Sequence, residues 1–251
     1  METVQKLYSK NYLVDVICRI DFPLVLELID VPPKEFQNSI ISDFPILKPT
    51  QQFGVSIKKD EEGISTQEKS RIIWTFHDKE ESYIVELFSE FLVINCKKYI
   101  DFADFEKKLK IVFDSFFKVY PNIIINRLGL RYINQIEIEG EDDFFDWSAY
   151  INQKLVEGID FVENKQNIRR EFNNLVLDIK ENVVLNFKYG IFNRYYPDEI
   201  VKKEFMLDYD CYTKNDIEIV QIYEQLSSFN QIITEYFEKS IKDGLRNKLN
   251  A

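Results

Sequence analysis

The chain has 251 residues, of which 45% are hydrophobic and 30% charged, and its formal net charge is −11. That balance predicts an ordinary soluble core and argues against a dedicated nucleic-acid binder, whose phosphate contacts call for a basic face. No stretch approaches the roughly 18–20 apolar residues of a membrane span, and the start, METVQKLYSKNY, has no apolar signal core.

Cys18, Cys96 and Cys211 are far apart and odd in number. They predict reduced thiols, two of them buried, in a cytoplasm, and neither a zinc site nor a disulfide framework. Gly and Pro number seven each, so elements should be long and loops short.

In chain order, YLVDVICRIDF (12–22) alternates apolar and charged residues and predicts a strand. PPKEFQNSIISDFP then predicts a helix with proline at its start. QFGVSIKK (52–59), RIIWTFH (71–77) and YIVELFSEFLVINC (83–96) predict strands, the third bent at Ser89–Glu90, with a mobile polar loop over 60–70. DFADFEKKLKIVFDSFFKVY (101–120) predicts an amphipathic helix capped by Asp101.

The second half repeats the order. A strand is expected over 122–139 and a short helix over 142–155. Strands follow over 168–180, 182–192 and 203–212, the first two joined by a tight hairpin, and a long helix closes the chain over 216–248. The expected fold is therefore α+β: two similar strand–helix–three strands–helix halves, 1–120 and 121–251, forming antiparallel sheets with helices on one face and packed as one compact unit.

RLGLRYINQIEI, FPLVLELIDVPPKEFQNSIISDFP, FMLDYDCY and YFEKSIKDGLRNKL together resemble an uncharacterised, sporadically distributed bacterial family of about this length. Its central signature is R-L-G-L-R-Y-x-N. One departure is YLVD after the first tyrosine, where the family has a proline-containing pair. The resemblance implies no particular activity; the sporadic distribution implies mobile or antiviral-defence genes.

In a strand, Arg127, Gly129 and Arg131 share one face, two guanidinium forks around a bare backbone position. Two readings stand open. The gap could admit a phosphate or carboxylate, or Asp15, Asp21, Asp178, Asp208 and Asp210 could supply an internal ion-pair network. Asp208, Asp210, Glu137 and Glu139 offer oxygens to a hard cation, but alternating acids on a solvated strand face explain them, and neither a metal nor a cofactor is expected. No E-x-E-x-K run of the triphosphate tunnel enzymes occurs. Nor does any G-x-S-x-G, C-x-x-C, Walker or G-x-G-x-x-G motif, and His77 is the only histidine. That weighs against an enzyme.

On the closing helix, Phe229, Ile233, Phe237, Ile241 and Leu245 keep a three-to-four spacing. About 30 residues of helix span roughly 45 Å, whereas a strand of about ten covers some 33 Å. Either the helix overhangs and offers this ridge to a protein partner, with a homodimer expected, or its own sheet covers it. The leading expectation is a non-enzymatic binding or assembly subunit. The alternative is a small-anion or nucleotide-binding protein, extending to phosphate chemistry, centred on Arg127 and Arg131.

Overall fold

A computed structural model describes residues 8–60 and 63–251. Its strands are β1 (Leu13–Asp21), β2 (Ile46–Leu47), β3 (Thr50–Asp60), β4 (Gly63–His77), β5 (Tyr83–Leu87), β6 (Phe91–Cys96), β7 (Arg127–Glu137), β8 (Glu171–Lys180), β9 (Val183–Ile191) and β10 (Glu204–Thr213). They form an open antiparallel sheet in the order β2-β4-β5-β6-β1-β7-β10-β9-β8, with β3 paired to β4. The helices are α1 (Glu27–Asp30), α2 (Lys34–Ile40), α3 (Phe102–Val119), α4 (Glu157–Asp160), α5 (Ile222–Ser240) and α6 (Asp243–Asn250). The α+β class is as expected. The polar stretch 63–70 is strand, paired with β3, rather than loop; backbone pairing does not need apolar side chains. Residues 61 and 62 lie outside the described residues.

The chain clusters into two compact units whose boundaries differ from a cut at 120/121. One comprises Ile17–Leu128 with Asp216–Ile219; the other holds the chain up to Val16, Gly129–Asn215 and Val220–Ala251.

In the Ile17–Leu128 unit, α3 has the predicted stripe. Phe105, Leu109, Val112, Phe113 and Phe116 are fully buried. The Asp101 side chain accepts the Asp104 N–H at 2.7 Å, filling one of the orphan donors of the first turn. Phe116 meets Phe22 at 5.3 Å and Phe36 of α2 at 6.1 Å, and Phe36 meets Phe76 of β4 at 5.6 Å. These edge and tilted contacts join helix, helix and sheet in one aromatic core. The expected bend at Ser89–Glu90 is the turn between β5 and β6.

In the other unit, the core face carries Leu130, Tyr132 and Ile136 of β7, Phe205, Leu207, Tyr209 and Cys211 of β10, and Leu185 and Phe187 of β9. The register sets Tyr209 opposite Tyr132 on one side and Phe187 on the other; Phe187 and Tyr209 stack at 4.5 Å. Helix α5 lies on this face. The Tyr132 hydroxyl donates to Asn230 Oδ1, and the Tyr209 hydroxyl to Ser240 Oγ, both at 2.8 Å.

Two expected helices differ. The closing helix is broken at Ile241, which is extended (φ −106°, ψ 155°) and bridges Ile151. The Asn152 N–H donates to Ser240 O and the Lys242 N–H to Tyr150 O, both at 2.8 Å. Backbone groups that would continue the helix are thus taken by a distant segment. Gly244 does not mark a frayed end: a Cβ there would lie 2.5 Å from Ala149 O, so the glycine permits the close approach.

The helix expected over 142–155 is a series of turns followed by a short 3-10 segment, Gln153–Leu155. Asp143 Oδ1 accepts the Phe145 and Asp146 N–H groups, and Asp146 Oδ1 accepts that of Ser148. Such local bonds compete with helix. Lys203, 2% exposed and immediately before β10, holds the turns. Its ammonium donates to Glu141 Oε2 at 2.7 Å, to Asp143 O at 2.9 Å and to Asp146 O.

Candidate functional site

The strand that carries Arg127, Gly129 and Arg131 passes from one unit to the other between Leu128 and Gly129, and each arginine is engaged within its own unit. Arg131 meets Asp208 of β10 in a fork: Nε to Oδ1 at 2.7 Å and Nη2 to Oδ2 at 2.6 Å. The Asp208 side chain is 4% exposed and that of Arg131 37%. Hydrogen bonding to Asp208 raises the Arg131 pKa, burial opposes this, and Asp208, Asp210 and Asp15 add attraction. Asp210 is the register partner of Arg131, so Asp208 reaches it diagonally. Three carboxylates thus surround one guanidinium, an environment that favours cations over anions.

Arg127 Nη1 stands 3.7 Å from Asp21 Oδ2, and Asp21 Oδ1 also accepts Arg19 Nε at 2.6 Å. Gly129 is buried opposite Tyr212. Of the proposed acids, Asp178 goes elsewhere: it takes Lys214 Nζ at 2.6 Å. Of the four acids considered for a cation, Asp208 is held by Arg131, Asp210 is the register partner of that same arginine, Glu137 accepts from Lys202 at 2.8 Å, and Glu139 is exposed beyond β7. Among the described residues no group of three or more His, Cys, Asp or Glu is placed to hold a metal ion.

The ridge of the closing helix is covered by its own unit. Phe229, Ile233, Ile241 and Leu245 are 3% exposed or less, and Phe237 is half-buried with its ring 6.5 Å from that of Tyr8. Of the two expectations for this ridge, the one requiring a partner is corrected. The break at Ile241 removes the overhang and folds α6 back onto 149–150.

All three thiols are buried, one more than expected. Burial raises their pKa values, that of Cys211 to about 12, which suppresses the reactive thiolate. A thiol reagent should label well under one equivalent in the native protein and three in denaturant. Rapid native labelling would contradict this packing.

A further cavity of about 310 Å³ lies in the second unit, lined by Gly158, Val162, Ile168, Arg170, Glu171 and Tyr196. Arg170 sits over Phe192 and Tyr196, 4.8 and 4.4 Å from the ring centres, and its Nε donates to Phe192 O at 2.7 Å. Burial raises the Glu171 pKa, against a hydrogen bond from Asn173 that lowers it. A carboxyl raised in this way favours the fold fully below its unfolded pKa, and that contribution is lost as pH rises through the folded value. Glu171→Gln is therefore expected to raise the urea midpoint at neutral pH. The gap to wild type should close as pH falls through the ordinary carboxyl range; a gap independent of pH would contradict the assignment.

An unprotected edge is formed by β8. It pairs with β9 and with no other described strand, so it ends the sheet. Leu175 is 44% exposed and Val176 58%. The register puts Leu175 opposite Phe187, on the helix-covered face, and Val176 opposite Asn186, on the other. Apolar side chains therefore flank an open row of backbone donors and acceptors on both faces.

No protein-family model matches the chain, and no curated protein sequence does.

Periodicity located β8 but not its place at the sheet edge. The signal in the sequence is NLVLD, where three adjacent apolar residues replace alternation between polar flanks.

Proposed function

We propose that the protein is a non-enzymatic binding or assembly subunit of a reducing, cytoplasmic compartment, and that β8 is where it engages its partner. The observation that carries this reading is the ten-residue edge strand with Leu175 and Val176 exposed on opposite faces. Edge strands are usually blunted by charge, proline or a covering element. Here a register shift between Asp178 and Lys180 disturbs only one end. An added strand supplies backbone hydrogen bonds for affinity and side-chain pairs for specificity. The reading extends to a defence-type locus, for which the support is the resemblance to a sporadically distributed bacterial family.

Anion or nucleotide binding at Arg127 and Arg131 draws less support, because Asp208 already occupies the Arg131 fork. Among the described residues no helix is long and apolar enough to cross a membrane.

The test compares wild type with Leu175→Lys/Val176→Lys, which puts charge on both faces of the edge while the core is untouched. Both are purified from the native host at equal expression, and size and bound species are read by light scattering and mass spectrometry. Wild type should run above its own 30.0 kDa or retain a near-stoichiometric protein, and the variant should lose this at unchanged circular dichroism. Identical behaviour of the two proteins would reject β8 as the binding element.

A further inference from the structure

The side chains of β8 also carry information about what pairs with it. A two-fold axis perpendicular to a sheet can join two copies of one strand antiparallel. Directly opposed residues point to the same face, so this works only if one residue faces its own copy. Three centres keep the exposed residues in the pair. Centring on Leu175 sets Val176 against Asn174 and Phe172 against Asp178. Centring on Leu177 sets Val176 against Asp178 and Asn173 against Glu181. Both oppose apolar to polar groups.

Centring on Val176 avoids this over its inner five residues, and sets Asn173 against Ile179 and Phe172 against Lys180 only at the ends. Val176 then meets Val176 of the second copy on the open face. Leu175 meets Leu177 twice on the helix-covered face, and Asn174 meets Asp178 twice, an amide donor against a carboxylate. The Asp178 side chain is 77% exposed, with Oδ1 accepting from Lys214, and a carboxylate can accept a further hydrogen bond at its second oxygen. These inner pairs, 174 to 178, lie on the regular part of the strand, before the register shift, and the mismatched outer pairs fall where it disturbs the strand.

We infer that the partner of β8 is a second copy of this chain, paired antiparallel through β8 with Val176 on the two-fold axis. This rests on the reading of β8 as the binding element and names its occupant. Two-fold pairing closes on itself, so the sheet gains a continuation and no further edge opens at this end. A pairing of one strand per copy is small for a specific interface, so association should depend on concentration. Each copy carries a net charge of −11, so association should strengthen as salt rises.

Opposed Cα atoms in an antiparallel pair lie about 4.5–5.5 Å apart, within the roughly 4.4–6.8 Å that a disulfide spans. The native thiols are buried, so wild type gives the baseline. Val176→Cys and, as control, Val220→Cys, at a site 82% exposed, are oxidised at micromolar concentration. Val176→Cys should form a covalent dimer at least tenfold faster. An equimolar mixture of Asn174→Cys and Asp178→Cys should yield chiefly the mixed dimer. Light scattering of wild type should rise from 30.0 kDa toward twice that value with concentration.

Equal oxidation rates for Val176→Cys and Val220→Cys would overturn the inference. So would a wild type that stays at 30.0 kDa while losing a different captured protein on Leu175→Lys/Val176→Lys substitution. The latter result would leave β8 as the binding element with another occupant. If the edge substitutions changed neither mass nor capture, the reading of β8 would itself fail.

Discussion

Gly190→Ala is expected to lower stability by about 4 kcal/mol or more, among the largest effects of any single methyl group. Gly190 has φ +133°, a conformation side chains rarely adopt. Strain of that kind costs on the order of 1–3 kcal/mol. The added Cβ would also stand 2.2 Å from Glu171 O and 2.7 Å from Glu171 Oε2. Gly190 lies between Phe172 of β8 and Met206 of β10, so relief requires the strands to part. Urea unfolding followed by circular dichroism measures the loss. A variant within about 1 kcal/mol of wild type would contradict the close approach. If the variant folds, its self-association should also fail, because β8 is the strand displaced.

Arg131→Ala should cost about 3 kcal/mol, the low end for removing one partner of a buried ion pair. The low end applies because the Arg131 side chain is 37% exposed while that of Asp208 is 4% exposed. The alanine leaves a carboxylate in the sheet without its fork. Replacing both members, as Arg131→Met with Asp208→Leu, should recover most of the loss, since well-packed apolar pairs often replace ion pairs without penalty. A variant that melts like wild type and instead loses a phosphate- or nucleotide-induced rise in melting temperature would reinstate an anion site.

Sequence reading reaches furthest where the deciding forces are local. The α3 stripe from Phe105 to Phe116 and the Asp101 cap are written within one helix, and both are present. The turn at Ser89–Glu90 is local in the same sense. Alternation along RLGLRYIN correctly put Leu128, Leu130 and Tyr132 in the core and the arginines opposite. It could not say which acid each arginine meets, because that depends on strand order: Asp208 reaches Arg131, whereas Asp178 pairs with Lys214. The broken closing helix fails for the same reason. Its spacing is helical throughout, and the bridge from Ile241 to Ile151 comes from a segment far away in sequence. The turns over 142–155 contain both kinds of cause, the local Asx bonds of Asp143 and Asp146 and a remote lysine.

That lysine has a consequence for transplanting parts of this chain. Lys203 gathers a carboxylate and two carbonyls from 141–146 around one ammonium, which is the task a bound cation performs in other loops. The ordering element therefore belongs to the segment that leads into β10 and does not travel with the loop it organises. A graft of residues 141–150 into another scaffold would arrive without its counter-charge, its carbonyls turned toward an empty centre. The smallest transferable piece is the loop together with Lys203, two segments that any recombination of this gene must keep paired.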